Sequence, residues 1–284
     1  MAHVGSGRVT GRIETPQWSL ITVTYNSERD LRSYWGKRMP QDDIDWIVVD
    51  NASSDDSVRV ARDLGASVIS LSRNVGFSGA NNIGARSTQT PYLAFVNPDV
   101  TFDPDSLPRI ADIIDRAGAL VAPQLCYPDL RLQPNGRGLP SLRNKIINRI
   151  RPLGDERATY NFIPSIPSVY RIVWAMGAAL CTSREIFDRI GGWNSAYFVY
   201  FEDAEISLRA GEHGVPTLLD ASSMWVHSWA RETLGFRLRP KLLELQSAIR
   251  FYAQYPGLLI PCSSRWRRMN RTFGREWCDL DVAQ

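Results

Sequence analysis

"YLAFVNPDV" (residues 92–100) decides how the chain is read. Tyr92 to Val96 form an apolar run of strand length, which then breaks into Asn97-Pro98-Asp99. Pro98 has no N–H to give to a sheet ladder and pushes Asn97 toward extended geometry. The chain is therefore turned sharply where a carboxylate appears. In α/β sheets ligands collect at the carboxyl ends of strands, so Asp99 is a candidate functional residue.

The same pattern recurs upstream. "SLITVTY" (19–25), "DWIVVD" (45–50) and "SVISL" (67–71) have strand character. "SSDDSVRVARDLG" (53–65), starting at Ser53 or Ser54 and stopped at Gly65, and "SGANNIGARS" (78–87) have helical character. Alternation of this kind predicts an α/β fold with a mostly parallel sheet and helices on both faces. Polar residues fall at the strand ends: Thr24, Tyr25 and Asn26 after the first, Asp50 and Asn51 after the second, Asn97 and Asp99 after the fourth.

The second half reads differently. Residues 124–171 are rich in Pro, Gly, Asn and Arg with weak periodicity, which predicts an irregular mobile excursion, a lid or acceptor loop. Regular structure resumes at "IVWAMGAALCTS" (172–183), and an amphipathic helix is predicted from Leu238 to Tyr255. Four stretches follow: a loose tail (1–15), a ligand-binding half (16–115), a second half (116–230), and a C-terminal helix with a basic tail (231–284).

Composition bounds the function. A chain of 284 residues with 44% hydrophobic and 22% charged residues is that of an enzyme-sized globule. A net charge of +3 does not argue for nucleic acid, and none is expected as a partner. The charge is uneven: six basic residues and no acid lie between Arg131 and Arg151, and five arginines between Arg265 and Arg275. Each run is either solvated surface or contact with an anionic partner. Cys126, Cys181, Cys262 and Cys278 form no CxxC pair and have no His at zinc spacing, which fits reduced thiols. The N-terminal stretch has no signal-like apolar segment, and no run of about 18 apolar residues exists. A cytoplasmic location is expected, with peripheral attachment at the inner face of a membrane open. Arginines interleaved with Trp266, Phe273 and Trp277 would suit an anionic bilayer surface, or equally a homo-oligomer contact.

Each motif carries a bland reading beside a functional one. In "VVDNASSDDS" (48–57), Asp50 and Ser53 either cap a helix or, with free N–H groups nearby, accept from a nucleobase ring N–H. "SRNVGFSGANNIGAR" (72–86) is neither GxGxxG nor GxxxxGK[ST], so dehydrogenase and P-loop readings lose their anchor. Asn97-Pro98-Asp99 either ends a strand or holds Mg²⁺ or Mn²⁺ against substrate phosphates. Glu202-Asp203 either complements a helix dipole or supplies a base.

The ordered series "VTYNS", "VVDNASSDDS", "RNVGFSGANNIGAR", "FVNPDV", "GAALCTSREIFDRIGGWNSAYFVYFEDAEISLR" and "VHSWA" resembles the inverting glycosyltransferases of family 2, especially their rhamnosyltransferase-like branch. The resemblance covers roughly Ser19 to Tyr255 and implies the GT-A fold, a Rossmann-like mixed sheet flanked by helices, here with a C-terminal helical extension. It implies nucleotide-sugar binding by Thr24, Tyr25, Asn26 and Asp50, with Asn51, Ser53, Arg73, Asn74, Gly76, Asn82 and Asn97 completing the candidate set. The family's Asp-x-Asp metal element falls on Asn97-Pro98-Asp99, leaving Asp99 as its carboxylate, and His227 is the second candidate ligand for Mn²⁺ or Mg²⁺. Asp203 is the implied catalytic base and Glu202 its neighbour. Their helix position favours ionised forms, and about 100° of helix separates them, so only one faces the acceptor. Trp174, Gly177, Trp193 and Tyr200 are the acceptor-side candidates, the aromatics lining a partly dry sugar pocket.

What the resemblance implies is transfer of a sugar, L-rhamnose from dTDP-rhamnose first, to a hydroxyl of a glycan, glycolipid or protein. UDP-hexose and UDP-galactofuranose stay open, because a carboxylate on the base N–H does not separate uracil from thymine. Two rivals stand beside it: a nucleotidyltransferase, which would want an early Gly-rich basic loop that "TVTYNSERD" lacks, and a non-catalytic sugar-nucleotide or glycan-binding module.

Overall fold

The computed structural model describes residues 17–36, 44–150, 160–228, 238–260 and 264–278. The first half runs β1 (Trp18–Thr24), α1 (Glu28–Asp30) continuing into a π turn over Leu31–Trp35, β2 (Ile44–Asp50), α2 (Ser57–Asp63), β3 (Ser67–Ser70), α3 (Gly76–Arg86), β4 (Tyr92–Val96), β5 (Val100–Thr101) and α4 (Leu107–Ala117). The second half runs β6 (Leu120–Cys126), β7 (Gly136–Arg137), α5 (Leu142–Ile150), β8 (Asn161–Phe162), β9 (Val169–Ile172), β10 (Trp174–Ala175), β11 (Ala179–Ser183), α6 (Arg184–Arg189), α7 (Glu202–Glu212), β12 (Thr217–His227), α8 (Leu238–Gln254) and α9 (Ser264–Thr272).

One sheet passes through both halves in the order β3-β2-β1-β4-β11-β6-β12-β5, with β9 on β12. β3, β2, β1 and β4 are parallel. β11 is antiparallel to both β4 and β6, so the sheet is mixed. That reversal positions the site. The carboxyl end of β4 meets the amino end of β11, and Asn97 N donates to Ala178 O at 2.9 Å. A crevice beside a reversal of strand order is where α/β sheets take ligands.

Apolar burial holds the frame. Trp35 stacks on Trp46 at 4.4 Å and 6°, and Phe102 bridges from Trp35 to Trp225. β12 carries an irregularity between Asp220 and Met224. Asp220, fully buried, accepts from Arg109 through Nε and Nη2, from Ser222 N and from Ser223 Oγ, which pins the distortion. Downstream of it, His227 pairs with Val100 of β5.

Three expectations are corrected. Residues 124–171 are not a continuous irregular excursion: the stretch carries the end of β6, then β7, α5, β8 and most of β9, with β10-β7-β8 forming a small second sheet. Gln124, Gln133 and Asn135 are fully buried there. Asn135 accepts from Leu125 N and donates to Pro123 O, and Gln124 donates to Gln133 O. Polar side chains bonded to backbone, apart from Gln124 Oε1, which has no hydrogen-bond partner among the described residues, do the packing, so no apolar period was visible. Within this stretch, residues 151–159 lie outside the described residues.

The first predicted helix starts later, at Ser57, because Asp50 to Ser53 forms a turn with Ala52 at φ 64°. The C-terminal aromatics face inward. Trp266 is buried against Tyr255, Phe273 packs edge-on against Phe162, and Trp277 N donates to Val169 O. They pack against the protein's own core, Trp266 buried and Phe273 and Trp277 in part, so the three rings do not form one exposed aromatic face. Among the described residues no helix is long and apolar enough to cross a membrane.

Candidate active site

At the end of β1, Thr24 Oγ1 donates to Asp50 Oδ1 at 2.9 Å. Ser53 donates to the same carboxylate through Oγ at 2.5 Å and through N at 3.0 Å, and Ser53 Oγ accepts from Asn26 N at 2.8 Å. Asn26, in the left-handed region at φ 54°, accepts from Ser54 N. A carboxylate has about four lone-pair sites, so three internal bonds leave Asp50 roughly one for a ligand N–H. Tyr25 is 51% exposed at the strand end, the member of this group with an open ring face.

The loop before α3 is built on Asn51. Its Oδ1 accepts from Val75 N at 2.8 Å and its Nδ2 donates to Gly76 O. Asn74 Oδ1 accepts from Gly76 N. Gly76 takes φ 81°, and a Cβ there would stand 2.6 Å from Phe198 O, so only glycine fits. Arg73 is exposed on this loop. Asn82 is engaged within the protein itself. Its amide donates to Trp193 O and Ser195 Oγ, and its Oδ1 accepts from Trp193 N at 2.9 Å, which clips the 193–195 turn to α3.

After β4, a turn closes with Val100 N donating to Asn97 O, and Trp35 Nε1 donates to Pro98 O. Asn97 is half-buried beside it. Asp99 Oδ2 lies 3.3 Å from Nε2 of His227. Gln133, missed in the sequence, sets the imidazole. Its Nε2 donates to His227 O at 2.7 Å, so its Oε1 is the group facing His227 Nδ1 at 2.8 Å and takes that N–H. In the neutral ring Nε2 then presents a lone pair to the Asp99 carboxylate. A carboxylate and an imidazole nitrogen facing each other are residues that would hold a hard divalent cation, which would supply charge neutralisation to a bound diphosphate. Among the described residues no third His, Cys, Asp or Glu joins them.

Asp203, half-buried in the first turn of α7, accepts from Gly177 N at 3.3 Å. A Cβ on Gly177 would sit 3.2 Å from Asp203 Cβ, so a larger residue there would push Asp203 by a few tenths of an ångström. Burial raises the Asp203 pKa, opposed by Lys145, the N–H groups of Ala204 and Gly177, and Arg137. Glu202 is buried, and its Oε2 has no hydrogen-bond partner among the described residues. Burial, and then the charge of Asp203, pushes its pKa up to about 8. The helix dipole was expected to favour ionised forms; desolvation outweighs it here.

α7 itself is held by residues the sequence did not single out. Arg209 forms an ion pair with the fully buried Glu205 and donates to Ile190 O and Gly192 O. The aromatic candidates are corrected. Trp193 is 2% exposed and meets Phe77 and Phe95 edge-on, and Trp174 is buried, so neither has a ring face open for a sugar. Tyr200 is partly buried in the left-handed region at φ 69°, and it leads the chain into α7.

The raised pKa of Glu202 is a stability statement. The folded state keeps a proton that the unfolded chain, near 4.5, releases. This contribution is fully present below about 4.5 and is lost as pH rises through about 8. Glu202→Gln should therefore flatten the decline of unfolding free energy between these limits, by on the order of a few kcal/mol. Denaturant titrations at pH 5 and pH 8.5 measure it; an unchanged slope of stability with pH rejects the assignment.

A mixed nucleotide-fold sheet with a carboxylate at the β4–β11 reversal and a second one heading α7 defines a glycosyltransferase of the GT-A fold. The model of Glycosyl transferase family 2 matches residues 19–166, and the chain belongs to that family. It is 25% identical over 236 residues to the N-acetylglucosaminyl-diphospho-decaprenol L-rhamnosyltransferase of Mycobacterium tuberculosis, covering 75% of this chain and 76% of that one. Solved structures that share the fold include the following two. GalNAc-T7 with UDP, GalNAc and Mn²⁺ superposes with a TM-score of 0.57 at 16% identity, covering 95% of this chain and 57% of that one. The mannosyltransferase PcManGT of Pyrobaculum calidifontis in complex with GDP-Man and Mn²⁺ gives 0.52 at 16%, covering 95% and 79%.

Proposed function

We propose that the protein transfers a sugar from a nucleoside diphosphate to an acceptor hydroxyl with inversion at the anomeric carbon, and that L-rhamnose from dTDP-rhamnose is the first donor to try. The observation that carries this reading is Asp203 under Gly177 N at the head of α7, across the sheet reversal from Asp99 and His227. Asp203 takes the acceptor proton as that oxygen attacks the anomeric carbon and the bond to the diphosphate breaks. Asp50 and Tyr25 receive the base, with Thr24, Asn26 and Ser53 shaping the carboxylate. The loop of Arg73, Asn74 and Gly76, built on Asn51, faces the remainder of the donor beside Asn97. Asp99 and His227 would hold Mn²⁺ or Mg²⁺, which when bound neutralises charge on the departing diphosphate. The similarity to a rhamnosyltransferase supports rhamnose among the donors. UDP-hexose or UDP-galactofuranose is the alternative donor class, since the one open acceptor site on Asp50 does not read the thymine methyl.

A panel of dTDP-, UDP- and GDP-sugars, each with and without Mn²⁺, tests the proposal by donor hydrolysis and thermal stabilisation. The expected result is selective stabilisation and slow hydrolysis with one dTDP- or UDP-sugar, larger with Mn²⁺. No response to any member of the panel overturns it.

A further inference from the structure

A cavity of about 480 Å³ lies between the end of β9, the start of β12, α7 and α9. That volume suits a small organic molecule, and the residues around it include none of the candidate donor, metal or base residues. Its walls carry two polar groups without partners. Thr217 is 4% exposed, and its Oγ1 has no hydrogen-bond partner among the described residues. Arg171 is half-buried, and its guanidinium makes no hydrogen bond or ion pair among the described residues.

The backbone that presents these groups is fixed. Thr217 pairs with Ile172 and Leu218 with Arg171 across β12 and β9. On its other edge Arg171 N donates to Arg275 O, and Gly274 N donates to Arg171 O. A guanidinium taken partly out of water without an acceptor is unfavourable, and burial lowers the Arg171 pKa with no neighbouring charge to offset it. Among the described residues lining the cavity Arg171 is the one that carries a charge, so a single negative charge balances it. A carboxylate meets that count and offers a guanidinium two oxygens in one plane, whereas a phosphate dianion would bring surplus charge. Ile172, Val215 and Met269 supply apolar wall. Gly211 of α7 leaves room beside them: a Cβ there would meet Met269 Cε at 3.9 Å, an ordinary contact.

We propose that this cavity binds a small organic monocarboxylate, its carboxylate on Arg171 and Thr217 Oγ1 and its apolar body against Ile172, Val215 and Met269. Ser207 lines the same cavity, and its Oγ donates to Asp203 O, so the occupant touches α7 one turn below Asp203. The donor site lies elsewhere, and nucleotide and carboxylate are held together without competition.

The test titrates the full chain calorimetrically with octanoate, hydrocinnamate, octanol and inorganic phosphate, each with and without UDP. At least one of the two carboxylates should bind ~10-fold more tightly than octanol or phosphate, the scale of a charge-assisted contact, and equally well beside UDP. Arg171→Met should weaken that carboxylate by ~10-fold or more, with partial recovery in Arg171→Lys. Thr217→Val should weaken it by ~3-fold or more without lowering the melting temperature of the free protein, because it removes a hydroxyl that has no partner. Gly211→Leu should abolish binding by filling the space beside Met269. No binding of either carboxylate overturns the proposal, as does equal affinity for octanol or phosphate. So does a carboxylate affinity unaltered in both Arg171→Met and Gly211→Leu, and so does displacement by UDP. Failure of UDP itself to bind would instead count against the donor-site reading.

Discussion

Asp203→Asn should lower sugar transfer by about 10²–10⁴-fold, the usual contribution of a positioned base, while donor affinity stays near its original value. The substitution keeps size, and one side-chain oxygen can still accept from Gly177 N at 3.3 Å, while the amide nitrogen replaces the oxygen that accepts from Ala204 N at 2.7 Å. Unchanged donor affinity then separates lost basicity from local disturbance. Glu202→Gln should do less damage to the chemical step. The pH dependence has a definite sign. A base works ionised, and burial raises the Asp203 pKa, so kcat/KM should rise with pH through a midpoint above the ordinary carboxylate range. Transfer assays paired with donor titrations separate the cases. Near-normal turnover in Asp203→Asn, or a loss of donor binding equal to the loss of rate, would remove Asp203 from the role.

Asp99→Ala should abolish metal-dependent turnover and weaken the nucleoside diphosphate far more than the nucleoside alone. Asp99 and His227 are the two candidate ligands, 3.3 Å apart, and the Gln133 contact fixes the imidazole so that Nε2 faces Asp99. Loss of the carboxylate leaves one neutral donor, too little for a hard cation that wants anionic oxygen. Mn²⁺ titrations of turnover, with nucleoside and nucleoside diphosphate affinities measured side by side, check this. Full activity of chelator-treated wild-type protein would show that the metal role is wrong.

The sequence was most informative where local chemistry and periodicity agree. The strands β1 to β4 were legible to within a residue or so at their ends, because strands of a parallel sheet read as short apolar runs, whereas the two-residue β5 was not. The break at Pro98 was legible for the same reason, and the turn that carries Asp99 is there. What was illegible depends on distant partners. Nothing near Gln133 announces that it orients His227, 94 residues away. Asn82 read as a ligand-side amide, yet it spans 111 residues to hold Trp193. The aromatic run before Glu202 read as a sugar pocket, and much of it instead fills the core, since an aromatic side chain looks the same in sequence whether its face is covered or open. The dipole argument for the acid pair failed because burial is a property of the folded assembly.

One contact has a consequence for kinetics. Phe77 N donates to Phe198 O at 2.7 Å, directly beside Gly76, so the amino end of α3 and the segment leading into α7 share a backbone hydrogen bond. If the donor diphosphate settles on the first and the acceptor on the second, neither substrate meets a surface that is independent of the other. Such linkage is reciprocal: whatever factor the donor adds to acceptor affinity, the acceptor must return to the donor. An enzyme joined in this way would favour the ternary complex over either binary one, and so limit loss of the activated sugar to water while it waits for an acceptor.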